Sequence, residues 1–228
     1  MKYLFTARYI FWALLLLITN SAHADVIFTN IGSSFTFKAA DTLGTLAGNT
    51  SEAAVAFTPT NDFVFSSASF MLGLASGQNM LDVTLATDFI PAGLNTYKIG
   101  TVLENIQTDG AMITESGSVL GGLATVTSTL NPTLFAGTEY WLILSLPDPQ
   151  AFGRWYVNET LNGNPFAIGS TPLAPFFAVF PPGSEVTPAF SVSGTVVPEP
   201  SLRIVTIFVL VFLLALSRRR RLAFLRPE

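Results

Sequence analysis

The feature that most constrains the fold is an alternation of apolar and polar residues in short segments separated by turn-forming clusters. In Leu81–Thr87, the residues Leu81, Val83 and Leu85 occupy one face of an extended backbone and polar or small residues lie between them. Successive side chains of a strand point to opposite faces, so a period of two predicts a strand with one buried face. Similar segments recur along the chain and predict an all-β fold.

Further segments are rich in Val, Ile, Phe, Thr and Leu, which is typical of strands. They are Val26–Thr29, Ser34–Phe37, Ala53–Phe57, Phe63–Leu72, Thr96–Leu103, Leu123–Thr129, Glu139–Leu146, Arg154–Val157 and Ala189–Val192. Turn chemistry separates several of them, at Pro91–Gly93, Thr108–Gly110, Asn131–Thr133 and Pro147–Pro149. Many short strands without helical periodicity predict an antiparallel two-sheet β-sandwich, for which we expect a jelly-roll-like strand order.

One long segment, Leu161–Pro182, is predicted to be an irregular loop. It holds five prolines, at positions 165, 172, 175, 181 and 182. Proline has no backbone N–H to donate to a neighbouring strand, so this segment is disfavoured as a central strand. A loop of this length can bind a ligand or simply cross the surface, and we favour the surface crossing.

The first 24 residues have the organisation of a secretory signal peptide, which we expect to be helical. Two basic residues precede the ten-residue apolar run Tyr9–Ile18, and the small residues Ala22 and Ala24 lie just before Asp25. A run of this length is too short to span a bilayer, which needs about 20 apolar residues. We therefore predict cleavage after Ala24 and export of a chain that begins at Asp25. The alternative is an uncleaved N-terminal anchor.

The segment between the two chain ends is strongly acidic. Residues 25–197 contain three basic and thirteen acidic residues, a formal charge of −10, although the whole chain carries −4. Such a surface repels phosphate backbones, so we expect the protein not to bind nucleic acid. About 170 residues are enough to form one packed domain.

Two kinds of catalytic and metal-binding site are excluded by composition. The chain has no cysteine, and its single histidine, His23, is in the predicted signal peptide. Ser-His-Asp and Cys-His catalysis and zinc sites built on these residues therefore cannot form in the mature chain. The fold must also be stable without disulfides.

Carboxylates leave two kinds of chemistry open. A glycosidase needs two acids about 5–10 Å apart, and the pairs Asp82 with Asp88 and Glu104 with Asp109 are candidates, although solvated surface acids are favoured. A structural calcium ion needs only oxygen ligands and is possible near the predicted turns. Its candidate ligands are Asp62, Asp82, Asp88, Asp109 and Asp148.

Aromatic residues are candidates for stacking on sugar rings. Trp141 lies in a predicted strand whose two faces are both apolar, which predicts a position in the core. Trp155 and Tyr156 are adjacent in a predicted strand and must point to opposite faces, so we expect one of them to be exposed. This pair is a possible glycan contact, although packing in the core or at its rim is favoured.

The C-terminal segment changes composition abruptly after Val197. Pro198, Glu199 and Pro200 are followed by the apolar core Ile204–Leu216, which is interrupted by one threonine, and then by the basic cluster Arg218–Arg221. With snorkelling arginines, this core can form a short transmembrane helix with the cluster in the cytoplasm. The prolines keep the preceding tripeptide extended, where a processing enzyme can bind it. An ordinary single-pass anchor is the alternative.

This tail resembles the PEP-CTERM sorting signal of Gram-negative bacteria. The resemblance covers Pro198, Glu199, Pro200 and the cluster Arg218, Arg219, Arg220 and Arg221, while Arg203 and the extra residues Leu222–Glu228 depart from the pattern. In that family, a membrane protease-transpeptidase called the exosortase is thought to recognise the signal and remove the hydrophobic segment. The resemblance implies export through the general secretion machinery, a transient inner-membrane anchor and a final place at the cell surface or outside the cell.

The segment between the signals is similar to choice-of-anchor domains, particularly the R type. The resemblance rests on Phe57–Pro59, Phe65–Leu74, Val83–Leu85, Leu134–Leu146, Arg154–Tyr156 and Pro188–Gly194. These are β-rich surface domains without an established activity. The sequence therefore predicts a signal peptide over residues 1–24, a β-sandwich over 25–197, a sorting segment over 198–221 and a cytoplasmic tail over 222–228.

The resulting hypothesis is a non-enzymatic component of the cell surface or extracellular matrix without a required cofactor. The family resemblance implies association with exopolysaccharide or biofilm. A carbohydrate-binding module is the first alternative and a carboxylate-based glycan hydrolase is the second. 

Overall fold

The computed structural model describes residues 24–32, 37–46, 49–93, 96–116, 121–158, 166–171, 174–180 and 187–197. In these ranges the chain forms fourteen β-strands and no helix, which confirms the prediction of an all-β fold. The strands are β1 (Asp25–Thr29), β2 (Phe37–Leu46), β3 (Asn49–Phe57), β4 (Phe63–Ser76), β5 (Met80–Gly93), β6 (Thr96–Asp109), β7 (Ile113–Thr114), β8 (Gly122–Thr127), β9 (Thr133–Leu134), β10 (Tyr140–Ser145), β11 (Phe152–Asn158), β12 (Phe166–Thr171), β13 (Ala174–Phe180) and β14 (Phe190–Val196).

Several strands are longer than the segments predicted from the alternation of apolar and polar residues. The predicted strand over Leu81–Thr87 is part of β5, and the one over Thr96–Leu103 is part of β6. The predicted turn at Pro91–Gly93 is wrong, because β5 continues through it. The register of the β5–β6 pair shifts between Pro91 and Gly93, and this irregularity accommodates the proline, which cannot donate a ladder hydrogen bond.

The expectation of an irregular loop over Leu161–Pro182 is also wrong for part of its length. Strands β12 and β13 lie within it and pair with each other in antiparallel fashion. Pro175 is next to the point where their register shifts, between Gly169 and Ser170 on the opposite strand, so the missing N–H coincides with an irregularity in the ladder. The other four prolines of the segment fall outside both strands.

All fourteen strands belong to one curled sheet. Their order is β1-β14-β4-β11-β2-β3-β10-β5-β6-β13-β12, and β7, β8 and β9 pair with β4. Strand β12 also pairs with β3, so β3, β10, β5, β6, β13 and β12 form a closed circuit of neighbours. Every pairing is antiparallel except that between β4 and β7.

The main core lies on one face of β3, β5 and β10. Leu81, Val83 and Leu85 of β5 are fully buried there, as the period of two predicted. They pack in one cluster with side chains from β3, β4, β8, β10, β11 and β14. Burying one such side chain contributes about 1.5–3 kcal/mol, so the alternating strands supply the main stabilisation of a chain without disulfides.

A second, smaller cluster lies on the other face of β3, β10 and β5. Trp141 and Ile143 of β10 pack there with four alanines, Ala54, Ala56, Ala86 and Ala167. The register of β12 places Ala167 opposite Ala54 of β3. Strand β10 is thus buried on both faces, which explains its unbroken apolar sequence and confirms the predicted core position of Trp141.

Both predicted terminal helices lie outside the described residues, as do residues 34–36 of one predicted strand. Within the part of the chain that the structure describes, there is no helix with the length and apolar character needed to cross a membrane. The chain divides by its contacts into two compact units, and the boundary falls between Val196 and Val197.

Candidate functional site

The residues predicted to carry the sorting and cleavage signals fall mostly outside the described residues. These are Ala22, Pro198, Glu199, Pro200, Arg218, Arg219, Arg220 and Arg221. Two residues of the predicted signal cleavage site are described. Ala24 and Asp25 are both exposed, and Asp25 is the first residue of β1.

The two ends of the folded unit are adjacent. Strand β1 pairs with β14, and Asp25 is the partner of Gly194, two residues before β14 ends at Val196. Neighbouring residues in an antiparallel pair are about 4.5–5.5 Å apart between their Cα atoms. The residue that follows the predicted signal cleavage and the residue that precedes the C-terminal segment therefore lie at the same end of this strand pair.

An apolar turn lies at this same end. Phe63, the first residue of β4, pairs with Val196 of β14 on one edge and with Leu134 of β9 on the other. The turn before β9 exposes Leu130, with 68% of its surface accessible, and the turn after β9 exposes Phe135, with 57% accessible. We call Leu130 and Phe135 the apolar tip.

Hydrogen bonds fix the backbone on the Phe135 side of the tip. The N–H of Phe135 donates to the hydroxyl of Tyr140 at 2.8 Å, and the N–H of Ala136 donates to Oδ1 of Asp62 at 2.8 Å. The N–H of Gly137, which has a φ of 71°, donates to the carbonyl of Pro59 at 2.9 Å. Phe135 is thus exposed on an ordered turn.

The Leu130 side of the tip is held by Glu104 of β6. This carboxylate, only 2% exposed, accepts four hydrogen bonds. Its donors are the Ser128 hydroxyl (2.5 Å), the Thr129 N–H (2.6 Å), the Thr129 hydroxyl (3.0 Å) and the Leu130 N–H (3.0 Å). Burial alone would raise the pKa of Glu104, but these hydrogen bonds outweigh burial and hold the pKa below its ordinary value. Glu104 therefore acts as an ionised clamp on residues 128–130.

A second carboxylate joins β11 to the segment after β7. Glu115 accepts a hydrogen bond from Nη1 of Arg154 at 2.5 Å and one from the Tyr156 hydroxyl at 2.6 Å. The guanidinium of Arg154 also lies over the Phe152 ring, 5.7 Å from its centroid. Burial, and then the bond and charge of Glu115, raise the pKa of Tyr156 to about 12. This arrangement keeps Tyr156 protonated and fixes Glu115.

The possible glycan-contact pair, Trp155 and Tyr156, is placed differently from the expectation that one ring is exposed. Trp155 is fully buried in the main core and Tyr156 is 6% exposed. Tyr156 packs against Met71 and Ala189 on the opposite face from Trp155. The expectation that one ring is exposed is therefore wrong, whereas the favoured alternative, packing in the core or at its rim, is confirmed. The physical reason is that both faces of β11 are covered, so neither ring presents a surface on which a sugar could stack.

The tyrosine beside Glu115 gives a test of this geometry. We expect one tyrosine to ionise with a pKa of about 12 in the folded protein, and Glu115→Gln to lower that pKa by removing the neighbouring charge. Because the folded-state pKa is raised above the usual value of about 10, this group's contribution to stability is complete below about pH 10 and is lost as pH rises towards 12. Absorbance titration of tyrosinate measures both effects. Glu139→Gln, whose carboxylate bonds to Trp141, is the control, and an unchanged titration in Glu115→Gln would contradict the contact.

The carboxylate pairs considered for glycan hydrolysis do not come together. Glu104 is committed to the clamp and lies five residues from Asp109 along β6, a separation of about 17 Å. Asp82 and Asp88 are six residues apart along β5, or about 20 Å. Neither separation suits the two acids of a glycosidase.

The candidate calcium ligands are dispersed as well. No group of three His, Cys, Asp or Glu side chains suited to a metal occurs among the described residues. Asp148 accepts backbone hydrogen bonds from Gln78 (2.8 Å) and Gln150 (2.9 Å), which hold its pKa below the ordinary value. Asp62 accepts the bond from Ala136. These two carboxylates serve the backbone of neighbouring turns, and a calcium ion elsewhere stays an untested expectation.

The Glu104 clamp, the Glu115 network and the apolar tip were not identified from the sequence. One signal could have drawn attention to the tip, because residues 116–138 contain no charged side chain in a segment with a formal charge of −10. Comparison with protein-family models gives no match, and comparison with curated proteins gives no significant match.

Proposed function

We propose that the chain is an exported protein of a Gram-negative bacterium, tethered temporarily in the inner membrane and then processed by an exosortase. The observation that carries the proposal is the order of features at the C-terminal end. Strand β14 ends at Val196, and Pro198-Glu199-Pro200, an apolar core and four arginines follow. The general secretion machinery and an exosortase are the partners that this order implies.

The position of the predicted cuts supports the proposal. Asp25 is the first residue of β1 and Val196 is the last residue of β14. Cleavage after Ala24 and cleavage beyond Val197 would therefore leave all fourteen strands and their core in one piece. A segment that can be removed without loss of any strand is what a transient anchor requires.

We further propose that the curled sheet is a two-layer β-sandwich with jelly-roll-like order, flanked in the unprocessed chain by a signal helix and a transmembrane helix. Support comes from the main core, to which β3, β5 and β10 contribute from one part of the sheet and β4, β8 and β14 from another. Interlocking of two inner faces in this way is typical of sandwiches.

The proposed role of the mature protein is non-enzymatic, at the cell surface or in the extracellular matrix. Two carboxylates of the described residues serve the fold: Glu104 accepts hydrogen bonds from a turn and Glu115 accepts one from Arg154. Association with exopolysaccharide or biofilm follows from the family resemblance, and it names the class of partner rather than a contact in this domain.

Substitution of Glu199 tests the role of the tail. We expect Glu199→Ala to leave the unprocessed chain in the membrane fraction, since the charged residue of the extended tripeptide is lost. Asp109→Ala, an exposed acid of the body, is the matched control and should be processed normally. Immunoblots of membrane and surface fractions measure both. Normal release of Glu199→Ala would contradict recognition of the tripeptide.

A further inference from the structure

The apolar tip is an exposed hydrophobic feature that the folded body holds in place. On one side, Glu104 accepts the N–H of Leu130, and on the other, Tyr140 accepts the N–H of Phe135. Asn131, between them, has a positive φ of 48°, which only a few residue types adopt readily. Leu130 and Phe135 lie on the turns that precede and follow the short strand β9, so two exposed large apolar side chains fall close together in the sequence.

The chain segment that carries the tip has no charged side chain of its own. Residues 128–138 contain no acidic or basic side chain, although residues 25–197 carry thirteen acids. Two carboxylates from other segments bond to its backbone: Glu104, which is 2% exposed, accepts from the N–H of Leu130, and Asp62 accepts from the N–H of Ala136. A surface that meets the boundary between lipid headgroups and acyl chains must avoid desolvating charges, and an uncharged apolar turn meets this requirement.

The place where the strand ladder ends also points to a lipid surface. Phe63 separates Val196 from Leu134 by two strand spacings, so Leu134, the neighbour of Phe135, is about 10 Å from the end of β14. Seven residues, 197–203, precede the apolar segment that begins at Ile204. Fully extended, they span about 25 Å. If the tail is an anchor, these seven residues limit the distance between Val196 and the membrane surface to about 25 Å.

We propose that the apolar tip, Leu130 and Phe135, inserts into the outer surface of the membrane while the chain is tethered. This inference rests on the proposed function, because the tether supplies the high local concentration that two side chains need to bind lipid. The contact fixes the end of the body from which β14 runs into the tail, and it ends when the tail is cut.

The experiment uses the full chain in neutral phosphatidylcholine vesicles that contain a lipid with a spin-label quencher near the headgroup. Because the chain has no cysteine, Leu130→Cys and Phe135→Cys each carry a single fluorophore. The matched control is Ile113→Cys, an apolar residue 43% exposed in β7. Ile113 pairs with Gly73, ten residues from Phe63 along β4, or about 33 Å away. Thermal melting of each labelled chain verifies the fold.

We expect lipid quenching of the labels at 130 and 135 to be about threefold stronger than at 113, because inserted apolar groups sit about 5–10 Å within the interface. Equal quenching at all three positions in vesicle-bound chain would overturn the inference and leave the anchor intact. Protection of the tip label by added exosortase, without lipid quenching, would assign the tip to a protein and overturn the lipid contact.

A further variant separates failure of the inference from failure of the anchor. Leu210→Arg places a charge in the middle of the apolar core, so it should abolish flotation of the chain with vesicles if that core is the anchor. If the Leu210→Arg chain and the unsubstituted chain float equally, the result contradicts the anchor itself, and with it the tip contact.

Discussion

Replacing Glu104 with alanine is expected to lower the free energy of unfolding by about 3–5 kcal/mol. The carboxylate is 2% exposed and accepts bonds from two hydroxyls and two backbone N–H groups of residues 128–130. Without it, the buried hydroxyl of Ser128 and the partly buried donors of Thr129 and Leu130 lose their partner. A buried donor without an acceptor costs about 1–3 kcal/mol, so the sum over the turn is large even when water replaces part of the bonding.

Urea unfolding of the mature domain measures the effect. Gln107→Ala is the control, because Gln107 lies on the same strand as Glu104 but is exposed. Its side-chain amide donates a hydrogen bond to Asp82 in an exposed contact. We expect that control to change stability by less than about 0.5 kcal/mol. A loss below about 1 kcal/mol in Glu104→Ala would contradict the clamp, since that is the net value of a single ordinary hydrogen bond.

The clamp also predicts how stability depends on pH. The folded-state pKa of Glu104 is lowered, so the carboxylate contributes fully above its unfolded pKa of about 4.3, and the contribution is lost as pH falls through the folded value. Glu104→Gln should therefore show a shallower loss of stability below about pH 4.3 than the natural chain. Parallel acid limbs in the two chains would contradict the assignment.

Replacing Trp155 with alanine is expected to cost about 3–5 kcal/mol, comparable to the loss of the clamp. The ring is fully buried and packs edge-on against Phe70, with 5.4 Å between the ring centroids. Its Nε1–H donates to the carbonyl of Ala189 at 2.9 Å. Alanine leaves a cavity between β4 and β11 and removes one of two donors to that carbonyl, the other being the N–H of Met71.

Thermal and urea unfolding measure this loss, and Phe135→Ala provides the contrast. Phe135 is 57% exposed, so its truncation should change stability by less than about 0.5 kcal/mol. Comparable losses in the two variants would contradict the burial difference between them. The contrast also separates the role of Phe135 at the tip from any role in the fold.

Local periodicity was enough to predict the strands of the main core. Leu81, Val83 and Leu85 alternate with polar or small residues, and the sheet buries them as expected. Trp141 was assigned to the core because both faces of its segment are apolar, and a second cluster covers the second face. These features depend on residues close in sequence, so the sequence carries them directly.

Features that depend on distant partners could not be predicted. Glu104 and residues 128–130 meet only because β6 and the turn after β8 come together in the folded chain, so Glu104 was indistinguishable from a solvated acid. One ring of the pair Trp155 and Tyr156 was expected to be exposed, because nothing in the segment itself reveals Met71 and Ala189 beside Tyr156. Pro175 argued against a strand because the register shift that accommodates it depends on β12.

The intact mass of the protein recovered from the cell surface or the medium tests the central claim most directly. The proposal predicts a chain that begins at Asp25 and lacks Ile204–Arg221, so that the whole folded body from β1 to β14 is retained. Recovery of a surface chain that still extends to Glu228 would contradict exosortase processing.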